Sequence, residues 1–160
     1  MELRNLGLFS KKAFKDAKSL ALEYSGRQVL KNEHIKILAN HMNRGLRKLR
    51  NFSIKLEMDR GWVWARRQLI SMLPLFSSIR QSFAGLVTLK FSLGKPFQFS
   101  ILECKGFDRL FAKIRATLKH LDLDFSGNES EYITDSFETL GMVIMNRLHK
   151  LETLCLNFNQ

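Results

Sequence analysis

Apolar and polar residues alternate in several short segments of this chain. In each segment, a further apolar residue lies three positions before the first residue of the alternation. The segment from Leu118 reads LKHLDLDF, and the segment from Leu151 reads LETLCLNF. Alternation with a period of two is typical of a strand that buries one face. Each segment therefore predicts a strand that places its leucines in a core and the intervening residues on an open face.

The stretch between these two segments predicts a helix. It reads ITDSFETLGMVIMNRLHKL, beginning with residues suited to a helix cap and continuing with apolar residues three and four positions apart. A second helix is predicted from Asn32, since apolar residues recur on one face at Ile35, Leu38, Met42 and Leu46. The chain thus repeats a unit of one strand and one helix.

Internal similarity relates the strands to one another. The segment MNRGLRKLRNFSIKL from Met42 matches MNRLHKLETLCLNF from Met145 if Gly45 is an insertion. The equivalent strand positions are spaced by 37, 32 and 33 residues, at Phe52, Leu89, Leu121 and Leu154. Repeats of this length bury their apolar faces by stacking on their neighbours. We therefore predict an α/β fold of about four stacked repeats, each with one strand and one helix.

The beginning of the chain departs from this pattern. Residues 1–31 predict a helical N-terminal cap that contains a helix around Phe14 to Tyr24. No low-complexity segment or Gly/Pro linker divides the sequence, so residues 1–160 are predicted to form a single domain, with about four repeats in residues 32–160.

The middle of the chain is the least regular. Pro74 predicts a break or kink near Leu73 in a helix between Gly61 and Gly85. The stretch GKPFQFSILECKG predicts an irregular loop, and a helix is predicted after it from about Phe107 to Lys119.

LKHLDLDFSGN, followed after a few residues by ITDSFETLGMVI, resembles a leucine-rich repeat of the long, helical, ribonuclease-inhibitor-like kind. In that class, LxxLxLxxN leads into a helix that begins with ITD. The resemblance implies a short, curved solenoid with the parallel sheet on its concave side and the helices on its convex side. It also implies that the protein binds other proteins.

Net charge divides the 160-residue chain unevenly. The total is +11, of which residues 1–50 contribute +8, residues 51–100 contribute +5 and residues 101–160 contribute −2. This asymmetry favours an acidic partner on the N-terminal half: RNA, an anionic surface or an acidic protein.

The two cysteines, Cys104 and Cys155, are too few for a disulfide framework. We expect an intracellular, reducing compartment, the cytoplasm first and the mitochondrion as the alternative. No apolar run reaches the roughly 18 residues of a membrane span, so no transmembrane segment is predicted.

Strand alternation predicts which side chains face a partner on the concave side of the sheet. These are Asn51, Ser53, Lys55, Thr88, Lys90, Ser92, His120, Asp122, Asp124, Thr153, Cys155 and Asn157. Stacking the strands places Lys90 beside Asp122 and Asp124 beside Ser92. The alternative is that this polar row serves only as the solvated face of the sheet.

Basic residues concentrate on the predicted helices and just after them. Those expected to contact an anionic partner are Arg44, Arg47, Lys48, Arg50, Arg66 and Arg67. The alternative is a solvated helix face, with long side chains covering apolar surface. Base-stacking aromatic residues are missing apart from Trp62 and Trp64, which argues against sequence-specific RNA recognition.

The sequence contains no GxSxG, GxxxxGK, HExxH or CxxC motif, so we expect a non-enzyme without cofactor or metal. It predicts a protein–protein interaction and scaffold module of a larger assembly. The second prediction is a basic structural subunit of a ribonucleoprotein or organelle complex. In either case, the strand from Leu151 to Phe158 is expected to be covered by a partner chain, because an exposed strand edge invites pairing.

Overall fold

The computed structural model describes residues 16–26, 32–46, 48–58, 71–78, 83–94, 99–126 and 133–158. Within them lie five strands: β1 (Ser19–Gly26), β2 (Asn51–Met58), β3 (Thr88–Leu93), β4 (His120–Asp124) and β5 (Thr153–Asn157). The same residues include four helices: α1 (Asn32–Gly45), α2 (Leu73–Ser78), α3 (Ile101–Ile114) and α4 (Ile133–Arg147). None of these helices is long and apolar enough to cross a membrane.

The strands form one parallel sheet in the order β1-β2-β3-β4-β5, so the fold class is α/β as predicted. The register pairs Phe52 with Leu89, Leu89 with Leu121 and Leu121 with Leu154. The equivalence predicted from the internal repeats is thereby confirmed residue by residue. The core lies between this face of the sheet and the described helices.

Phenylalanine rings connect the successive repeats inside the core. Phe91 on β3 lies 5.9 Å from Phe52 on β2 and 5.8 Å from Phe107 on α3, measured between ring centroids. Phe107 is 6.3 Å from Phe125, which stacks at 5.8 Å on Phe158 after β5. Edge-to-face and stacked pairs of this kind add about 0.5–1.5 kcal/mol each beyond the area they bury. The rings therefore tie each strand to the next.

The predicted helical cap at the N-terminus is wrong for the residues that the structure describes. Residues 19–26 form β1, which pairs with β2 in parallel from Ser19 to Gly26. Leu20, Leu22 and Tyr24 pack at the edge of the core, and the intervening residues face away. Ala17, Ala21 and Tyr24 are spaced as on a helix face, whereas Leu20, Leu22 and Tyr24 alternate as in a strand. Pairing with β2 decides for the strand. Residues 1–15 of the predicted cap lie outside the described residues.

One helix boundary also differs from the prediction. The helix predicted from Phe107 begins at Ile101, inside the stretch predicted to be a loop. Ser100 precedes it and its hydroxyl hydrogen-bonds the carboxylate of Glu103, a Ser-x-x-Glu spacing typical of a helix start.

A helix boundary lies at Leu73, where Pro74 predicts a break. Pro74 lies in the first turn of α2, where the N–H that it lacks would have no partner. Residues 61–70 of the helix predicted before it lie outside the described residues.

Gly106 lies where α3 meets α2, and its substitution tests that contact. A Cβ added there would be 2.6 Å from Cδ2 of Phe76 and 2.8 Å from Cδ2 of Leu73. We expect Gly106→Ala to lower the free energy of unfolding by about 1–3 kcal/mol through overpacking. The measurement is urea unfolding followed by circular dichroism.

The matched control for that prediction is Gly141→Ala in α4, where an added Cβ meets nothing within 4 Å. Because alanine favours a helix interior over glycine by about 1 kcal/mol, this variant should be more stable than the wild type by up to that amount. Equal stability of the two variants would show that α2 and α3 are not in close contact.

Candidate interaction surfaces

One face of the sheet carries the helices and the core, and the side chains of the other face point away from both. We call this second surface the open face. It consists of Ser19, Ala21, Glu23, Ser25, Asn51, Ser53, Lys55, Glu57, Thr88, Lys90, Ser92, His120, Asp122, Asp124, Thr153, Cys155 and Asn157. The structure thus places all the side chains that were predicted to face a partner on a single surface, where β1 adds four more and β2 adds Glu57.

The centre of the open face is an ion pair between neighbouring strands. Nζ of Lys90 lies 3.3 Å from Oδ2 of Asp122, and the two residues are opposite one another in the register. The predicted contact is confirmed. Both side chains are more than a third exposed, so the pair contributes less than about 1 kcal/mol to stability. It fixes the positions of the two charges more than it holds the strands together.

Asp124 is the most strongly hydrogen-bonded carboxylate of the open face. Oδ2 accepts a bond of 3.0 Å from the Ser92 hydroxyl, as the predicted contact requires, and Oδ1 accepts one of 2.9 Å from the backbone N–H of Ser126. Burial alone would raise the pKa of Asp124. The bonds from Ser126 and Ser92, together with the positive charge of Lys55, outweigh that effect, and the pKa lies below its ordinary value of 3.8.

Acidic groups outnumber basic groups on the open face. Lys55 lies between two carboxylates, 3.6 Å from Oε1 of Glu23 and 3.5 Å from Oε2 of Glu57. With Asp122 and Asp124, the face has four carboxylates and two lysines, Lys55 and Lys90. This surface of a protein with a net charge of +11 is therefore acidic.

Neutral hydrogen bonds complete the row nearest the amino ends of the strands. Nδ2 of Asn51 donates to the Ser19 hydroxyl at 2.9 Å, and Nδ1 of His120 is 2.9 Å from the Thr153 hydroxyl. Bonds between side chains on neighbouring strands restrict their rotamers before a partner arrives. The open face is consequently a preorganised polar surface.

Positive charge collects on a different surface, at the amino ends of β2 to β5. A cleft of about 620 Å³, which we call the basic cleft, is lined by Arg50, Val87, Ala116, Thr117, Lys119, Lys150 and Glu152. The Arg50 guanidinium donates a hydrogen bond of 2.9 Å to the Gly85 carbonyl. Nζ of Lys119 lies 2.5 Å from Oε1 of Glu152 and lowers the pKa of that carboxylate. Three cations and one carboxylate leave the cleft with a positive excess.

The residues predicted to contact an anionic partner are divided by the structure. Arg50 lines the basic cleft, and Lys48 pairs with Asp16 at 2.6 Å. Arg44 belongs to α1, but its side chain lies outside the described part of the chain, as do Arg47, Arg66 and Arg67.

Sequence reasoning missed Lys119 and Lys150 in the basic cleft and Glu23 on the open face. Lys119 could have been found, because it directly precedes β4 as Arg50 directly precedes β2. The signal for Glu23 was the alternation of Leu20, Leu22 and Tyr24 around it.

The described residues contain no group of three His, Cys, Asp or Glu side chains that could hold a metal ion. Cys104 is buried, and its thiol donates to the Ser136 carbonyl at 3.1 Å. Burial and the neighbouring Glu103 raise the pKa of Cys104 to about 11, so this thiol is unreactive at neutral pH. Cys155 is exposed on β5.

Comparison of the chain with models of protein families, with curated proteins and with solved structures gives no match. The interpretation of both surfaces therefore depends on their geometry and charge.

Asp124→Asn tests the anchoring of this carboxylate through the dependence of stability on pH. At pH 7 the variant should lose about 1 kcal/mol of unfolding free energy, because the hydrogen bonds to a charged acceptor are weakened. The pKa of Asp124 is depressed in the folded state. The contribution of the Asp124 carboxylate to the free energy of unfolding is therefore complete above the ordinary pKa of 3.8. It disappears as the pH falls through the lower pKa that Asp124 has in the folded protein.

Urea unfolding at pH 7, 5 and 3 measures this effect, and the difference between wild type and variant should shrink at the lowest pH. Ser92→Ala removes one of the two hydrogen bonds and should give a smaller loss with the same trend. A difference that stays constant from pH 7 to pH 3 would contradict the assigned role of Asp124.

Proposed function

We propose that this protein is a non-enzymatic protein–protein interaction module, which acts as a scaffold within a larger assembly. Its repeats form a short solenoid resembling leucine-rich repeats, and the partner lies across the open face. The two free cysteines agree with a reducing compartment such as the cytoplasm or the mitochondrion.

The observation that carries the proposal is the ordered open face on a sheet whose other face packs against the core and the helices. Its charged groups are fixed by the pairs Lys90–Asp122 and Lys55–Glu23, and Asp124 by its bonds to serine. No helix or strand among the described residues covers this surface. A surface that is already ordered loses little side-chain entropy on binding, which favours specific recognition of an extended partner.

Charge specifies the chemistry of the partner. Four carboxylates against two lysines favour a surface with lysine or arginine side chains, and they disfavour nucleic acid on this face. Glu23 and Glu57 are the most exposed of these acceptors, and Asp122 is partly exposed. The pKa of Asp124 is lowered despite its burial by hydrogen bonds from Ser126 and Ser92, which favour its charged form. A basic segment of another protein lying across the strands fits this arrangement.

Capture of partners by the tagged protein tests the proposal. Partners recovered from a cell extract are identified by mass spectrometry, and the affinity of each purified partner is measured by calorimetry in 0.15 and ~0.5 M salt. Binding to the open face should change by less than about tenfold over that range, whereas phosphate neutralisation would change it far more. Asp122→Lys together with Glu57→Lys should weaken binding by at least about tenfold through charge repulsion.

Lys48→Glu is the control, since it reverses an exposed charge away from the open face, and it should leave the affinity unchanged. If the open-face variant binds every recovered partner as the wild type does, the open face is not the site.

The basic cleft favours a second function, that of a basic structural subunit of a ribonucleoprotein or organelle complex. Arg50, Lys119 and Lys150 form a row along the amino ends of the strands, over an apolar floor of Val87 and Ala116. Lysine and arginine in such a row suit successive phosphate groups of an RNA backbone, without reading its bases.

Fluorescence anisotropy with a labelled single-stranded RNA of about 20 nucleotides tests this second function. Binding should fall steeply with salt, and Arg50→Glu together with Lys150→Glu should weaken it by at least about tenfold at low salt. Lys90→Glu on the open face is the control and should have little effect. RNA binding that is equal in the wild type and the cleft variant would reject the basic cleft as the contact site.

A further inference from the structure

The end of the sheet at β5 exposes apolar side chains on both a strand and a helix. Leu154 and Leu156 occupy core positions in the register, yet they are 48% and 38% exposed. On α4, the helix that precedes β5, Met142 and Met145 are 58% and 77% exposed. Met145 lies on the opposite side of α4 from Arg147, which pairs with Asp108 of α3 at 2.7 Å. The exposed methionines therefore face away from the helix layer that is already packed.

Within the described residues, β5 is also an edge strand that lacks the usual protection. It is the last strand in the sheet order, and its sequence, TLCLN, contains neither a charged residue nor a proline. Charged residues and prolines are the usual devices that prevent edge strands from pairing. At the opposite edge of the sheet, β1 carries the charged residue Glu23, whereas β5 carries no charged residue.

We propose that two copies of this protein associate through β5 about a twofold axis near Cys155, so that the two sheets join by antiparallel pairing of their β5 strands. This inference does not rest on the proposed function, because it is argued from the edge of β5 and from α4. The contact shares with the open face only the residues of β5, and with the basic cleft only Lys150.

Self-complementarity of the surface argues for a second copy as the occupant. Antiparallel pairing centred on Cys155 places Leu154 opposite Leu156 of the other copy, so that each exposed leucine covers the other. The same axis makes the two α4 helices run antiparallel on the core side of the joined sheet. Met142 and Met145 of one copy then lie near those of the other.

Charge along α4 is complementary to itself in this arrangement. Asp135 and Glu138 lie near its start, and His149 and Lys150 follow directly after its end. An antiparallel partner brings the acidic end of one helix beside the basic end of the other, with their helix dipoles opposed. Repulsion between copies is small here, because residues 101–160 carry a net charge of only −2.

Mild oxidation with copper phenanthroline in air tests both the association and its register. Directly opposed residues of antiparallel strands have Cα atoms about 4.5–5.5 Å apart, within the range that a disulfide spans. We expect rapid formation of a covalent dimer through Cys155, with none through Cys104, which is buried. Cys155→Ser should abolish the dimer band.

Moving the cysteine along the strand tests the register. In the variant Thr153→Cys with Cys155→Ser, residue 153 of one copy lies opposite residue 157 of the other. The two introduced thiols are then four residues, or about 13 Å, apart along the strands, and the covalent dimer should form at least about tenfold more slowly than in the wild type. Equal linking rates from positions 153 and 155 would show random collision and overturn the proposal.

Analytical ultracentrifugation under reducing conditions supplies a readout without cysteine chemistry. The wild type should show a concentration-dependent dimer, and Leu154→Lys should raise its dissociation constant at least about tenfold, since the pairing would bury an unpaired charge. Ala21→Lys at the β1 edge is the matched control and should leave the constant unchanged. A wild-type protein that remains monomeric at every concentration, or equal effects of the two substitutions, would overturn the proposal.

Discussion

The register of the parallel sheet is the constraint on which the rest of this structure depends. Leu20, Phe52, Leu89, Leu121 and Leu154 lie in one row across five strands, all on the core face. A shift of one residue in any strand would exchange its two faces. In β3 it would expose Phe91 and bury Lys90, and an unpaired buried ammonium group costs several kcal/mol. The two faces of each strand therefore specify the same register, one by burial and the other by charge.

The sequence predicted this register because leucine spacing is local and repeated, whereas the elements that it predicted wrongly depend on distant neighbours. Residues 19–26 have a spacing compatible with two structures, and only the backbone of β2 selects the strand: the N–H groups of Arg50 and Asn51 both donate to the Lys18 carbonyl. The start of α3 at Ile101 was missed for a related reason. Phe99, just before it, is buried against Phe125 and Phe137, so an apolar residue that suggested a loop instead anchors the helix entrance.

The candidate surfaces were predictable to different degrees. Alternation within each strand is sufficient to identify the open-face residues, and the repeat spacing is sufficient to place Lys90 beside Asp122. The acidic character of that face required Glu57, which the predicted row did not include, and Glu23 on β1, which was assigned to a helix. The basic cleft could not be foreseen from composition, because its cations come from three different repeats. They meet only because Arg50 and Lys119 each directly precede a strand, where stacking aligns them.

The aromatic core explains why the two edges of the sheet differ in their capacity to associate. The chain of rings from Phe52 ends at Phe158, which stacks on Phe125 and lies 3.8 Å from Phe137 between ring centroids. The C-terminal end of β5 is thereby anchored to the core, while Leu154 and Leu156, on the same face of the strand, stay half-exposed. An edge strand that is already fixed by its own core loses little backbone entropy when it pairs, and covering its leucines extends an apolar layer that already exists. Rigidity from the rings and incomplete burial of the leucines together make β5 the edge best suited to add a further strand.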